Sequence, residues 1–483
     1  MKFKSLTFLL IILLLAPIFV NSILAVHAQP SAASAPLYLG VDAAFLDVPQ
    51  TEQLIDNISA YTNFFIIGCE QQIGQNGGFG VYNETRLTVV GNYAYAKGLS
   101  FIAYSDDPTY PSKQWLSNAT QNYGAKFMGI YYFDEPGGKQ IDQVKYPPVT
   151  QAQNFTDAAD KYSGMLNLFL RTSTFAIARS FPDPSNARLF TSDYGLYWYD
   201  YAGGYSTVFA ELGINSGDMN YSRQLSIALC RGAATAFNQD WGVMITYGST
   251  NPPYMEDSSE LYTDMLWAYE NGAKYIIVFD SNPNFTQSIL TTAQENAIKS
   301  FWQYAQQHPR SANQLGARSA YVLPPDFAYS FRSPNDTVWG LWNSNWNGTT
   351  SLNFVADVSM CVVTYLQMFG PELDVMYPSI NGTAISMAHL ASLGYQHVIY
   401  WNDTALVPNM PPMPPANPAI SSYKTPNTTP FNNGDTRHTQ AAAKLEFYVA
   451  ITAAVLLVLV ALLFVGFRRR RSSGCKAQIL PET

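Results

Sequence analysis

The chain has 483 residues, a formal charge of −8 and four cysteines. That cysteine count excludes a small disulfide-built scaffold, and the acidity excludes a surface evolved to grip phosphate backbones. Setting aside Lys2, Lys4, Arg468 to Arg471, Lys476 and Glu482 at the two ends, 20 basic and 34 acidic residues remain, a balance of −14, so no nucleic acid is expected as a partner.

Lys2 and Lys4 precede an apolar run from Leu6 to Val20 and the small-residue pattern Ala25-Val-His-Ala28. This reads as a secretory signal peptide, residues 1–28. Leu37 to Ala43 is a short apolar strand ending at Asp42, and Thr51 to Tyr61 has helical spacing with Thr51 as its expected N-cap. Asn63 to Gly68 is the second strand, followed by Glu70, a glycine-rich loop and a helix from Glu84 to Lys97 closed by Gly98. Leu99 to Ser105 is the third strand, running into Asp106, with a helix over Trp115 to Tyr123 after it.

The fourth strand, Phe127-Met-Gly-Ile-Tyr-Tyr-Phe, runs into Asp134-Glu-Pro136. Pro136 has no N–H for a ladder, and two adjacent carboxylates at a buried strand end cost solvation unless they are paired or used. A helix is expected over Ala152 to Phe169, a fifth strand over Leu189 to Asp193, and a sixth over Tyr205 to Glu211. Helices over Arg223 to Phe237, Ser259 to Asn271 and Thr292 to Gln307 alternate with strands Trp241 to Tyr247 and Lys274 to Asp280. Eight strands alternating with helices predict a (β/α)8 barrel over residues 29–308. A doubly wound sheet would carry a phosphate-binding turn after its first strand, and none is there.

Residues 309–406 read as a small α/β domain, with strands over Ala317 to Leu323, Val338 to Trp342, Leu373 to Tyr377 and Gln396 to Trp401. Residues 407–445, rich in Pro, Asn and Thr, read as a stalk. Residues 446–467, uncharged from Phe447 onward, suffice at 1.5 Å per residue for one bilayer crossing of roughly 30 Å. The Arg468 to Arg471 run places the tail 468–483 in the cytoplasm. The expected arrangement is a single-pass cell-membrane protein with its bulk outside. Eleven Asn-x-Ser/Thr sequons between Asn57 and Asn427 suit a glycosylated exterior.

The chemistry is narrowed by an absence. After the signal, the first histidine is His308, so the barrel lacks the usual base or ligand of Ser-His-Asp, Cys-His or histidine-zinc catalysis. There is no metal-type spacing, and no cofactor is expected. Carboxylates stand near nearly every strand end instead: Asp42, Glu70, Asp106, Asp134 with Glu135, Asp193, Glu211 and Asp280, while the seventh ends at Tyr247. Crowded carboxylates push one another's pKa values apart, which yields a neutral acid beside an ionised partner. Glycoside hydrolysis uses such a pair.

The segment Gly129-Ile-Tyr-Tyr-Phe-Asp-Glu-Pro136 resembles the strand-four end of TIM-barrel glycoside hydrolases, where Asn-Glu-Pro carries the acid/base glutamate. The resemblance implies that Glu135 is the general acid/base, with Asp134 standing where the family has Asn. The family's second glutamate usually ends strand seven, which here has none, so Glu211 on strand six is the expected partner and Glu256 the fallback. In a regular strand Asp134 and Glu135 point to opposite faces, and only a twist or bulge brings both to one site. Asp193-Tyr-Gly-Leu-Tyr-Trp-Tyr-Asp200 is expected to offer Tyr197 and Trp198 as flat faces for sugar rings and Asp200 for hydroxyls. With Asp42, Glu70, Asp106, Asp193, Tyr247 and Asp280 these make up the expected carbohydrate-binding set. The alternative is a catalytically inactive barrel that binds glycans or serves the cell surface structurally.

Overall fold

The computed structural model describes residues 35–44, 46–68, 83–173, 176–213, 219–246, 255–280, 288–310, 316–331, 336–342 and 354–401. The expected signal peptide, stalk, membrane helix and cytoplasmic tail, together with Glu70 and Tyr247, lie outside the described residues. Among those described, no helix is long and apolar enough to cross a membrane. All of them belong to one compact unit.

Eight parallel strands close into a barrel in sequence order, β1 (Tyr38–Ala43) sealing against β8 (Tyr275–Phe279). Between them run β2 (Phe64–Ile67), β3 (Ser100–Ser105), β4 (Phe127–Tyr132), β5 (Leu189–Asp193), β6 (Thr207–Leu212) and β7 (Asp240–Ile245). Alternation sends one set of side chains inward. Phe64, Ile66, Ile102, Met128, Tyr131, Phe190, Phe209, Met244, Tyr275 and Ile277 fill the lumen as a core of their own. The opposite faces pack under the surrounding helices in a second, larger core. Aromatic rings dominate the lumen, with Tyr38 stacked on Tyr275 at 5.1 Å and Phe190 edge-on to Tyr275 at 5.6 Å.

The helices start where local chemistry satisfies free N–H groups. In α1 (Val48–Ile58) the N-cap is Asp47, four residues before the expected Thr51. Its carboxyl accepts from the Gln50 N–H and Gln50 reaches back, with Pro49 in the first turn. Asn83 caps α2 (Glu84–Ala96), and Ser112 caps α3 (Lys113–Tyr123). Two short helices that the periodicity did not signal follow β4: α4 (Pro136–Gln143) and α5 (Pro147–Thr150). The helix expected over 152–169 is α6 (Phe155–Asn167), which runs on into a wider π-type turn over Leu168–Thr172.

The aromatic run after β5 is helical. It folds as α7 (Tyr197–Gly203), whose rings are buried against the barrel wall and the C-terminal layer. Helices α8 (Met219–Phe237), α9 (Ser258–Glu270) and α10 (Thr292–Gln307) complete the ring.

Beyond the barrel, β9 (Ser319–Val322) lies between two parallel neighbours, β10 (Leu373–Met376) and a last strand over His397–Tyr400. Helix α11 (Phe354–Phe369) and a short helix, Met387–Ser392, flank this sheet. The strand expected over Val338 to Trp342 is instead a tight turn closed by a single bridge between those residues, with Trp339 and Gly340 at positive φ. The layer is bound to the barrel by buried polar contacts. Arg231 on α8 reaches Asp374 on β10 at 2.7 Å, and Gln140 on α4 donates to the Trp339 carbonyl at 3.0 Å. Neither Cys230 nor Cys361 is in a disulfide, and Cys69 lies outside the described residues.

Candidate active site

Strand β4 and the turn after it depart from regular strand geometry at three places, one near the strand's start and two beyond its end. The ladder between β3 and β4 slips between Phe101 and Ile102, so that Phe101 pairs with Phe127 but Ile102 with Gly129. Met128 is the extra residue of this bulge. Gly129 takes φ +140, where an added Cβ would stand 2.2 Å from the Arg188 carbonyl oxygen; only glycine fits. The bulge turns both Met128 and Tyr131 into the lumen. Then Phe133 (φ +64) and Glu135 (φ +48) adopt the left-handed conformation, which side chains other than glycine, Asn and Asp rarely take.

These two left-handed residues abolish the alternation that would have separated Asp134 from Glu135. Neighbouring strands brace the turn. The Tyr205 hydroxyl donates to the Tyr132 carbonyl at 3.0 Å, Thr191 Oγ1 to the Phe133 carbonyl at 3.0 Å, and the Glu135 N–H to the Ser192 carbonyl at 3.1 Å.

Glu135 is also the residue preceding α4, yet its side chain takes no part in capping. Asp193 at the end of β5 does that work. Its carboxyl accepts from the Gly137 N–H at 2.5 Å, the Gly138 N–H at 2.9 Å, and the Tyr194 and Gly195 N–H groups at 2.8 and 3.1 Å. Asp193 therefore serves the helix terminus, and the Glu135 carboxyl is left for the lumen.

Three carboxyls converge there. The Glu135 and Glu211 side chains come close enough to perturb one another's ionisation. Glu211 Oε1 accepts from Ser192 Oγ at 2.6 Å, and Ser192 Oγ also approaches Asp134 Oδ1 at 3.3 Å. The Tyr131 hydroxyl hydrogen-bonds Asp134 and lies 2.6 Å from Ser192 Oγ. Lys139 stands 3.9 Å from Asp134 Oδ2 and donates to the Asp134 backbone carbonyl. Tyr131, Ser192 and Lys139 escaped the sequence reading. The detectable signal was parity, because Ser192 shares its strand face with Phe190 and points inward with it.

Desolvation governs the protonation of this group. It lifts Glu135 to about 7, the Asp134 carboxylate adding to the rise while Lys139 opposes it. Burial, and then the charges of Glu135 and Asp134, hold Glu211 well above the usual carboxylate range. Asp134, whose side chain keeps about a third of its surface exposed, is raised by burial against the pull of Lys139 and Tyr131. Each of the two acids, when ionised, raises the cost of ionising the other.

The other expected binding residues are dispersed. Asp42 lies at the lumen end of β1, 3% exposed, with Oδ1 unpartnered among the described residues. Asp106 is exposed beyond β3, close enough to Asp134 to raise its pKa. Asp280 is fully buried and accepts from the Ile289 and Leu290 N–H groups at 2.7 and 3.2 Å, organising the entry to α10.

Tyr197, Trp198 and Asp200 are not brought to the mouth. Trp198 Nε1 donates to the Ser379 carbonyl at 3.1 Å and its ring packs on Phe237 and Tyr377, so it joins the C-terminal layer. Tyr197 is 2% exposed within α7. Asp200 accepts from the Tyr162 hydroxyl at 2.7 Å, with burial lifting its pKa to about 8. A strongly apolar helix buries its rings wherever a second layer is available, and here the C-terminal sheet supplies one. Glu256, the fallback partner, is also withdrawn. It pairs with Arg223 at 2.5 Å while Arg223 pairs with Asp264 at 2.5 Å, all three buried behind the wall. Among the described residues no group of three or more His, Cys, Asp or Glu side chains could hold a metal ion.

A hollow of about 480 Å³ opens at the opposite end of the barrel, between Tyr38, Phe127, Met128, Phe181 and Arg188. Those residues mark the amino ends of β1, β4 and β5, away from the carboxyls.

Burial of these acids carries a consequence for stability. The folded pKa values of Glu135 (about 7), Asp200 (about 8), Glu256 (about 8) and Asp264 (about 6) all exceed ordinary unfolded values near 4. The fold then binds more protons than the unfolded chain. The associated stability is full below the unfolded pKa and is lost as pH rises through the folded values. The melting temperature is expected to be several degrees higher at pH 5 than at pH 8.5. Calorimetric scans across that range check the sign, and a midpoint that rises with pH would refute it.

No family model matches the chain, and no curated protein matches it. Among solved structures it is similar to GH5_18 from Streptomyces cattleya in complex with GlcNAc, at 10% identity and a TM-score of 0.48, over 77% of this chain and 100% of that one. The beta-galactosidase of the psychrophilic Marinomonas ef1 overlaps at 10% identity and 0.47, over 75% of each chain. The catalytic module of a family 98 glycoside hydrolase from Streptococcus pneumoniae overlaps at 11% and 0.41, over 77% and 66%. Overlap this partial decides nothing about activity, and the barrel rests on its own strand pairing. This is a (β/α)8-barrel protein with three converging carboxyls at the carboxyl ends of its fourth and sixth strands.

Proposed function

We propose that the chain is a glycoside hydrolase that uses Glu135 and Glu211 as its carboxylate pair, tethered outside the cell by its C-terminal helix. The observation that carries this reading is the convergence of the two glutamates on Ser192, one from each side of β5, at the catalytic end of a barrel without histidine. Glu135, with its pKa near 7, holds a proton to give to the leaving glycosidic oxygen. Glu211, which burial and its neighbours keep protonated, first has to release its proton to water, and as the carboxylate it then attacks the anomeric carbon or activates a water. Asp134 supports the pair through Ser192 and Tyr131. Such a cycle consumes only water and requires no bound metal or organic cofactor.

The same pair also favours a second reading. Both carboxyls resist ionisation, and a pair that stays protonated has no nucleophile or base to offer. A barrel whose pair stays protonated binds glycans and leaves them intact. A panel of neutral and charged oligosaccharides, incubated with the full chain and assayed for new reducing ends, separates the two. Turnover that falls as pH rises through about 7 is expected. Glycan binding without release of reducing ends on any member would leave the non-catalytic reading.

A further inference from the structure

The hollow at the amino end of the barrel owes nothing to the carboxyl cluster, and every residue that lines it is among those described. Its volume of about 480 Å³ lies within the span of small-molecule sites. Its origin is in β4. Strands β6 and β7 are paired at six positions, from Thr207 with Asp240 to Leu212 with Ile245, whereas β4 meets β5 at two, Ile130 with Leu189 and Tyr131 with Phe190. Phe127, Met128 and Gly129 have no partner on β5 among the described residues, and the bulge at Met128 bends the strand there. The seam is therefore open at its amino end, where these three residues wall the hollow together with Tyr38 and Phe181.

Most polar groups of the lining are spent within the chain. Thr120 Oγ1 donates to the Leu116 carbonyl at 2.8 Å. The Asp183 carboxylate is folded into its own turn, accepting from the Ser185 N–H at 3.0 Å, Ser185 Oγ at 2.6 Å and Asn186 Nδ2 at 2.6 Å. Arg188 is the exception. Its backbone is fixed, the carbonyl accepting from the Ile130 N–H at 3.2 Å, but its guanidinium makes no hydrogen bond or ion pair among the described residues. The charge is felt towards the barrel axis, at the buried Tyr275 hydroxyl, where it opposes the rise in pKa that burial and Asp240 impose. That hydroxyl also has no hydrogen-bond partner among the described residues.

A guanidinium presents parallel N–H groups in a fixed fork that matches the two oxygens of a carboxylate. No second cation lines the hollow, so the double charge of a phosphate would be half compensated. The aromatic and thioether walls suit an apolar body, and a flat ring most of all. We propose that this hollow is a ligand site for a small apolar monocarboxylate, its carboxylate held by Arg188 and its body packed against Tyr38, Phe127, Met128 and Phe181. The chain's overall charge of −8 repels anions, so a preference for the anion has to come from this local cation.

The test is titration calorimetry on the full chain with 3-phenylpropanoate, its neutral amide 3-phenylpropanamide, and acetate. The acid is expected to bind at least about tenfold more tightly than the amide in low salt, the margin shrinking in about 0.5 M NaCl as the charges are screened. Acetate, which keeps the charge and lacks the ring, is expected to bind at least about tenfold more weakly than the phenyl acid. Arg188→Gln is expected to lower the affinity for the phenyl acid about tenfold and to leave the amide unchanged. The Arg188 guanidinium holds no other part of the described chain, so this substitution leaves the fold in place. No saturable binding of the phenyl acid at about 10 mM overturns the inference. So does equal binding of acid and amide, acetate binding as tightly as the phenyl acid, or an acid preference that Arg188→Gln leaves whole. Glycan turnover plays no part in these readouts, so failure of the glycosidase reading and failure of this one are told apart.

Discussion

Glu135→Gln is expected to lower kcat about 10²–10⁴-fold on any glycan the chain hydrolyses, the span typical of losing a positioned general acid. Glutamine keeps the shape, so the wall of Tyr131, Ser192 and Asp134 should stay in place. What it cannot do is release a proton to the leaving oxygen. The loss should therefore appear in kcat more than in KM. The limb of the wild-type pH profile that falls through about 7, where Glu135 ionises, should vanish in the variant. Glu211→Gln should cost a comparable factor, because either carboxyl alone performs half of the reaction. Steady-state rates on the best member of the glycan panel, measured from pH 4 to 9, test both. Turnover within threefold of wild type in Glu135→Gln would remove that residue from the role. Neither substitution should lower the melting temperature at pH 8, since each removes an acid whose ionisation the fold resists.

Arg231→Met is expected to destabilise the chain by about 3–5 kcal/mol, the usual result of leaving one member of a buried ion pair alone. Arg231 is 3% exposed and serves four acceptor residues at once. Its guanidinium donates to Asp374 Oδ1 at 2.7 Å, to the Pro371 and Leu373 carbonyls at 2.7 and 3.0 Å, and to Asn271 Oδ1 at 2.8 Å. Without it, Asp374 keeps, among the described residues, only the Tyr395 hydroxyl at 2.6 Å, inside a fully buried strand. Helix α8 approaches β10 so closely that a Cβ on Gly232 would lie 2.7 Å from the Val375 carbonyl oxygen, so the seam has little freedom to admit water. The double variant Arg231→Met with Asp374→Leu should recover part of the loss, because it removes the stranded charge as well as the pair. Urea unfolding of the three proteins measures this, and a loss below about 1 kcal/mol for Arg231→Met would show that the seam relaxes around the missing cation.

The barrel was legible in the sequence because its cause is local and repeated. Each buried strand is a short apolar run and each helix carries its own spacing and stop, so eight alternations already imply closure. Leu189–Asp193 and Thr292–Gln307 fall where the pattern places them. The inward aim of Glu211 follows from the same parity, two residues beyond Phe209 in a regular strand. What periodicity cannot carry is a departure from itself. The bulge at Met128, the left-handed Phe133 and Glu135, and the handing of the α4 cap to Asp193 are held by contacts from β3, β5 and the Tyr205 hydroxyl.

The aromatic run Tyr197 to Tyr201 shows the same limit from the other side. Its composition suits a sugar platform and a packed seam equally well, and only the arrival of the C-terminal sheet, with Ser379 and Tyr377 against Trp198, makes it a seam. By itself, then, the sequence determined the barrel, its acidic rim and the absence of histidine chemistry, all of which are sums over local residue choices. Which carboxyls meet was decided by tertiary structure, since a strained turn persists only where neighbouring strands hold it, and that turn is what brings Asp134 and Glu135 together beside Glu211.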